Sequence, residues 1–137
     1  MSLHLEIITP SKSAYNGDVN SVTVPGTLGS FQILTNHAPI ISTIEIGAIK
    51  IEKTDKSTGY FATSGGTVEV LKNNVRILAD SVEALENIDI DRARRALERA
   101  QQRLKDREEN LNVARAEAAL ARAMNRIKLA EKNLITH

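Results

Sequence analysis

The sequence predicts a β-sandwich followed by an antiparallel two-helix hairpin, α+β by content. Short runs rich in Val, Ile and Thr recur roughly every ten residues through the first part, the spacing of an all-β sandwich or barrel. All seven glycines and all three prolines fall in that same part, where turns use them and helices do not. The last third carries Ala, Leu and Arg at helical intervals instead. Charge divides the chain in the same place. Residues 1–86 hold 6 Lys+Arg against 9 Asp+Glu, and residues 87–137 hold 12 against 8. Two units follow, 1–86 and 87–137, with the boundary near Glu86-Asn87.

The first strand is set by Leu3, Leu5 and Ile7 alternating with His4, Glu6 and Ile8. Val19–Val24 comes next, then Gly26-Thr27-Leu28-Gly29, too short for a phosphate loop and opening no helix, hence a turn. Phe31–Leu34, Ile46–Ile51 and Tyr60–Thr63 are further strands. Gly65-Gly66 marks a strand break or a close backbone approach, before strands at Thr67–Leu71 and Val75–Leu78. Between these two, Leu71-Lys72-Asn73-Asn74-Val75 reads as a tight hairpin, since Asn tolerates positive φ. With two Phe, two Tyr and no Trp, the core is aliphatic and offers nucleic acid no stacking platform.

Helix one begins at Asp89 or Asp91, either a good N-cap, and runs to about Arg107. Ala93, Leu97, Ala100 and Leu104 give it a coiled-coil-like seam. The polar stretch between Arg107 and Leu111, with Asn110, is a turn. Helix two runs from about Leu111 to Asn133, with Leu120, Ala123, Ile127, Ala130 and Leu134 as its seam. Alanine gives high helix propensity but little buried area, so the helices persist singly while their mutual packing stays weak.

At 137 residues the chain can bury a real core but not two large ones. It has no cysteine, which excludes disulfides and thiolate metal sites and fits a reducing compartment. No apolar run reaches membrane-spanning length, and Met1-Ser2-Leu3-His4-Leu5-Glu6 lacks the pattern of a signal peptide. Membrane association is expected only through a partner. A net charge of +1 makes no case for nucleic-acid binding.

No metal-ligand cluster, Walker A sequence or dinucleotide motif is present. His37, in Asn36-His37-Ala38-Pro39, has neither a cysteine nor a nucleophile-elbow serine to serve; it reads as a structural or interface loop residue. The sharper feature is a pair of arginine stripes. Arg92 and Arg99 lie seven residues apart, as do Arg115 and Arg122, with Arg126 four further on. Each set lines one helix face, and 92 to 99 spans about 10 Å. Three readings stand. The stripes are a solvated face relieved by pairs such as Asp91–Arg95, Glu98 beside Arg99 and Arg103, and Glu117 near Arg122. They clamp phosphate, for which Arg is suited. Or they dock on an acidic partner surface.

The chain resembles, end to end, the ε subunit of F-type ATP synthases. The resemblance rests on Gly29-Ser30-Phe31-Gln32-Ile33-Leu34-Thr35-Asn36-His37-Ala38-Pro39, on Ser64-Gly65-Gly66-Thr67-Val68-Glu69-Val70, and on Ile77-Leu78-Ala79-Asp80 followed by Glu83. Gln32 and Ser30 depart from it, where many members have glycine and an acidic residue. The resemblance implies a sandwich of about ten strands that binds the γ subunit and sits on the c-ring, with Ser30 and His37 in the contact region. It implies helices that either fold back or extend along γ into the α3β3 head and inhibit hydrolysis. Such a subunit is non-catalytic; the expected location is the cytoplasmic face of a bacterial inner membrane, a thylakoid stromal face being the lesser expectation.

Some bacterial members also bind ATP in the folded hairpin through an Ile/Leu-Asp-x-x-Arg-Ala motif, present here as Ile88-Asp89-Ile90-Asp91-Arg92-Ala93. The resemblance thus places Glu83, Ile88, Asp89 and Ala93 toward adenine and ribose. It places Arg92, Arg99, Arg115, Arg122 and Arg126 toward the phosphates, and leaves Mg²⁺ open. ATP would be a regulatory ligand that favours the folded, non-inhibitory state. The alternative is a purely structural rotor subunit, without a nucleotide, whose arginines only dock.

Overall fold

The computed structural model of the chain describes residues 2–106 and 112–136, with side chains described through Lys132. The expected turn at 107–111 and the seam position Leu134 lie outside that description. The backbone divides into two compact units, one ending at Ala84 and one starting at Leu85.

The first unit is built from nine strands among the described residues: β1 (Leu3–Ile8), β2 (Ser13–Gly26), β3 (Gly29–Ile33), β4 (Ile40–Ile44), β5 (Gly47–Lys53), β6 (Thr58–Thr63), β7 (Gly66–Leu71), β8 (Asn74–Ala79) and β9 (Val82–Ala84). The organising element is β2, whose 14 residues serve both layers. Its first half pairs antiparallel with β1, Leu3 opposite Val19 and Ile7 opposite Tyr15. Its second half pairs with β5 and β3, Val22 opposite both Ile51 and Ile33. The change of partner falls at a register shift between Val19 and Ser21, where a bulge bends the strand. Asn20, at that shift, donates from Nδ2 to the Lys53 carbonyl at 3.1 Å. β1 continues through β8, β7 and β4, and β5 continues through β6 and β9. A parallel β1–β8 pairing ties the start of the unit to its end.

Side-chain alternation then fills the space between layers. Leu3, Leu5, Ile7, Val19, Val22, Val24, Ile33, Ile49, Ile51 and Ile77 are fully buried. His4, opposite Asp18 in the β1–β2 ladder, points the other way and meets its carboxylate at 3.0 Å. Tyr15 meets Phe61 in an edge-to-face ring contact.

Two turns explain the glycine and asparagine usage. The β7–β8 hairpin turns on Lys72 (φ 49°) and Asn73 (φ 64°), the doubly positive pair of a two-residue loop that matches strand twist. Gly66 has φ 152°, and a Cβ there would sit 2.0 Å from the Leu78 carbonyl oxygen; the β7–β8 ladder closes at that residue, opposite Ala79.

The second unit holds a short 3₁₀ turn (Leu85–Asn87), α1 (Ile90–Asp106) and α2 (Val113–Thr136). The two helices pack on each other. Six residues are too few to carry the chain back along α1, about 25 Å long, so the packed helices run antiparallel.

Candidate functional site

The Ile88–Ala93 segment builds the entry to α1. The Ile88 amide donates to the Leu85 carbonyl at 3.2 Å, closing the 3₁₀ turn. Of the two aspartates expected as caps, Asp89 is the one used. Its Oδ1 accepts from the Arg92 amide at 3.1 Å, and its carbonyl accepts the first helical bond from Ala93 at 3.0 Å. One carboxylate oxygen is thus committed to the helix end, and its charge sits at the positive pole of the dipole. Asp91 instead lies inside the first turn. Asn112 does the same for α2, its Oδ1 accepting from the Arg115 amide at 3.1 Å. Asn112 is marked in the sequence only once the start of α2 is known, as an Asn three residues before Arg115 at the head of an alanine-rich run.

The arginines follow from the helix seams. Ala93 and Ala100 on α1, and Ala116, Ala123 and Ala130 on α2, are buried at intervals of seven. Leu97, Leu104, Leu120 and Ile127, expected beside them, are only half-buried. Arg92, Arg99, Arg115 and Arg122 each immediately precede a buried alanine, so each stands about 100° round the helix from the seam. In an antiparallel pair that same offset brings both stripes to one side of the hairpin. The structure therefore gathers the expected arginines on one face. Arg92, Arg99, Arg115 and Arg122 are exposed and Arg126 is half-buried.

Among the described residues no carboxylate pairs with Arg92, Arg99, Arg115 or Arg122, although Asp106 continues the 92–99 stripe at the far end of α1. Side-chain ion pairs in the sandwich join His4 to Asp18 and Arg76 to Glu6. The intrahelical pairs Asp91–Arg95, Glu98 with Arg99 or Arg103, and Glu117–Arg122 do not form. By helical phase Glu98 and Glu117 stand toward the opposite side from the stripes. Arg92, Arg99, Arg115 and Arg122, fork-shaped donors without acidic partners among the described residues, fit a polyphosphate or another polyanion.

The remaining expected residues are placed differently. Ala93 is 0% exposed, so its small side chain lets the backbone be closely covered. Ile88 is half-buried and Asp89 exposed. Glu83 belongs to the first unit, on β9, opposite Ala62 of β6. Ser30 is the second residue of β3, its Oγ donating to the Val24 carbonyl at 3.2 Å. His37 sits in the β3–β4 turn, its amide donating to the Leu34 carbonyl and its Nδ1 2.7 Å from the Ala38 carbonyl. That hydrogen bond occupies Nδ1 within the turn itself. The loop is further held by Asn36 (φ 68°), whose amide donates to Asn73 Oδ1 at 2.7 Å. Among the described residues no helix is long and apolar enough to cross a membrane.

Comparison with known proteins covers both units. Residues 2–85 match the family described as ATP synthase, Delta/Epsilon chain, beta-sandwich domain. Residues 86–131 match its long alpha-helix domain. An ATP synthase epsilon chain of Nitratidesulfovibrio vulgaris is 47% identical over 103 residues, 75% of this chain and 76% of that one. One from Desulfitobacterium hafniense is 47% identical over 104 residues, 76% of this chain and 78% of that one. Among solved structures, a chain of the Euglena gracilis mitochondrial ATP synthase superposes with a TM-score of 0.81 over 99% of this chain and 82% of its own. At 20% identity that likeness speaks for the fold alone.

Proposed function

The chain belongs to the delta/epsilon chain family of ATP synthases, and on that premise we propose that it is a non-catalytic rotor-stalk subunit whose hairpin is closed by a nucleoside triphosphate. The sandwich binds the γ subunit and rests on the c-ring through the region of Ser30 and His37. It thus reaches the membrane only through the complex, on the cytoplasmic face of a bacterial inner membrane.

The observation that carries the reading is the arginine face. Arg92, Arg99, Arg115, Arg122 and Arg126 converge from two helices onto one side, and the helices' own carboxylates leave Arg92, Arg99, Arg115 and Arg122 unpaired among the described residues. These arginines hold the phosphates of ATP. Asp89 accepts from the adenine amine or ribose, and Ile88 covers the base edge. Two exposed unit charges 10 Å apart repel by only about 0.4 kcal/mol in water. A buried alanine methyl contributes about 0.8 kcal/mol. Repulsion along the stripes is therefore comparable with the packing of one or two seam alanines. It loosens the closed hairpin without forbidding it. A ligand that binds only the closed form then sets its population through differential affinity. When ATP falls, the helices separate and extend, and the arginines meet acidic surfaces of the α3β3 head, inhibiting hydrolysis.

Calorimetry with ATP on the full chain tests the reading. Saturable binding is expected, weakened by Arg92→Ala and by Arg126→Ala. Absence of heat at millimolar ATP removes the nucleotide and leaves a structural subunit whose arginines only dock.

A further inference from the structure

The two helices are copies of one another. Arg92–Lys105 reads RARRALERAQQRLK and Arg115–Lys128 reads RAEAALARAMNRIK, eight identities in fourteen at a constant offset of 23 residues. The structure repeats at the same offset. The caps are Asp89 and Asn112, each accepting an amide from the third residue on at 3.1 Å. Their carbonyls accept from Ala93 and Ala116, both at 3.0 Å. The buried pairs are Ala93 with Ala116 and Ala100 with Ala123. α1, Ile90–Asp106, corresponds residue for residue to Val113–Leu129 of α2.

Two copies of one helix, packed antiparallel through the same residues, are related by a two-fold axis perpendicular to their common plane. Such an axis leaves equivalent residues on the same side of the plane. It also fixes their heights once the matched segments pack along their full length. Arg92 falls level with Arg126, Arg99 with Arg122, and Arg103 with Arg115, each within about 3 Å along the axis. Arg103 is the two-fold mate of Arg126, lies on the same flank of α1 as Arg92 and Arg99, and is exposed with no carboxylate partner among the described residues. The face is a ladder of three arginine rungs about 16 Å long. Its central rung sits on the axis, and its outer rungs match in register but not in surroundings: Arg126 is half-buried where Arg103 is exposed, and Asp106 continues the 92–99 stripe beside Arg103.

We propose that Arg103, level with Arg115, supplies a second anion subsite beyond the reach of a triphosphate, and that the ladder takes a linear inorganic polyphosphate longer than a triphosphate. The proposal rests on the reading of this face as an anion site. The symmetry supplies what a nucleotide does not use. A base can be held only at the Ile88–Asp89 end, so a nucleotide engages the ladder from one side. A linear polyphosphate has two equivalent ends, and its repeated charges meet a repeated donor set.

The test is calorimetric titration of the full chain with tripolyphosphate, linear hexapolyphosphate and ATP at about 0.1 M salt, where exposed charges farther apart than about 10 Å are largely screened. Hexapolyphosphate should bind at least tenfold tighter than tripolyphosphate. Arg103→Gln should remove most of that gain while changing the affinities for tripolyphosphate and ATP less than twofold. Arg94→Gln, the same charge change on the opposite flank of α1, should alter none of the three by more than twofold. Equal affinity for the two polyphosphates overturns the ladder, as does a loss from Arg94→Gln equal to that from Arg103→Gln. If Arg103→Gln weakens ATP as much as hexapolyphosphate, the rung belongs to the nucleotide site and the second subsite falls. ATP binding without a hexapolyphosphate gain sinks this proposal alone. A hexapolyphosphate gain without ATP binding sinks only the nucleotide reading.

Discussion

In the sandwich, Leu3, Leu5, Ile7, Ile33, Ile49, Ile51 and Ile77 are completely buried; in the helical unit the buried described residues are Ala93, Ala100, Ala116, Ala123 and Ala130 with one leucine, Leu129. The first unit gains its cohesion from large side chains drawn from strands far apart in sequence. The second gains little per residue, since a methyl removes small area from water, and relies on helix propensity for the rest. One is held by large buried side chains, and the other mostly by small ones. The charges differ too: the sandwich pairs His4 with Asp18 and Arg76 with Glu6, while Arg92, Arg99, Arg115 and Arg122 of the hairpin have no carboxylate partner among the described residues.

The largest effect that separates the units should come from the sandwich core. Ile77→Ala should cost roughly 2–5 kcal/mol, seen as a lower urea midpoint of the β-sheet signal. Gly66→Ala should be at least as damaging, because the new Cβ would meet the Leu78 carbonyl at 2.0 Å. A loss under about 1 kcal/mol for Ile77→Ala would mean that the sandwich is not the rigid partner of the pair.

The reverse experiment puts a large side chain where the hairpin has a small one. Ala100, 5% exposed, has no room for leucine at a close helix contact. Ala100→Leu should destabilise the closed hairpin by about 1–3 kcal/mol. Hydrogen exchange should accelerate across α1 and α2 and stay unchanged in β1, β7 and β8. Uniform protection in both units after the substitution would show that the seam is not closely packed, and would erase the contrast.

Strands with period-two burial were legible because each residue's face is set locally. β1, β7 and β8 were readable from Leu3-Leu5-Ile7, from Val68-Val70 and from Val75-Ile77. Three stretches were not. The first half of β2, Ser13-Ala14-Tyr15-Asn16-Gly17-Asp18, has the composition of a turn and is a strand because β1 pairs with it. β4 follows Pro39 and pairs with β7 from Ile40 to Ile44, a partnership far away in sequence. β9 is three residues held by β6. In the helices the arginine intervals and the Asp89 region were legible because helical phase is also local. That leucines flank the seam while alanines fill it was not, since helices close enough to exclude Leu97 and Leu120 are fixed only by their packing. Nor did Asn112 announce itself, its role depending on where α2 starts.

Caps provide a smaller and more local probe of the hairpin. Asp89→Ala should cost about 1 kcal/mol of α1 stability, and Asn112→Ala a similar amount for α2. Both should appear as fraying of the first turn by amide exchange at Arg92 or Arg115, with no change in the β-sheet transition. Asp89→Asn separates two roles. It keeps an acceptor for the Arg92 amide but removes the charge, so helix stability should be nearly retained. If Asp89 also serves the ligand as a carboxylate, ATP affinity should fall with Asp89→Asn though the fold does not.

The smallest effect concerns pH, and it belongs to the sandwich. His4, raised above its usual 6.5 chiefly by its hydrogen bond to Asp18, is more basic folded than unfolded. Its contribution is therefore complete below pH 6.5 and is lost as pH climbs through the folded value. Both partners are largely solvent-exposed, so the gain is weakened by screening. Thermal unfolding of the sandwich should show a shallow fall in Tm as pH rises from 6 toward 8, and His4→Gln should flatten it. The hairpin signal should show no such slope from His4, whose contacts lie within the β1–β2 ladder. A slope that survives His4→Gln would assign the pH response to another group. One that appears in the hairpin signal and vanishes with His4→Gln would show that the helices sense the charge state of β1, and the two units would then no longer be separable by their electrostatics.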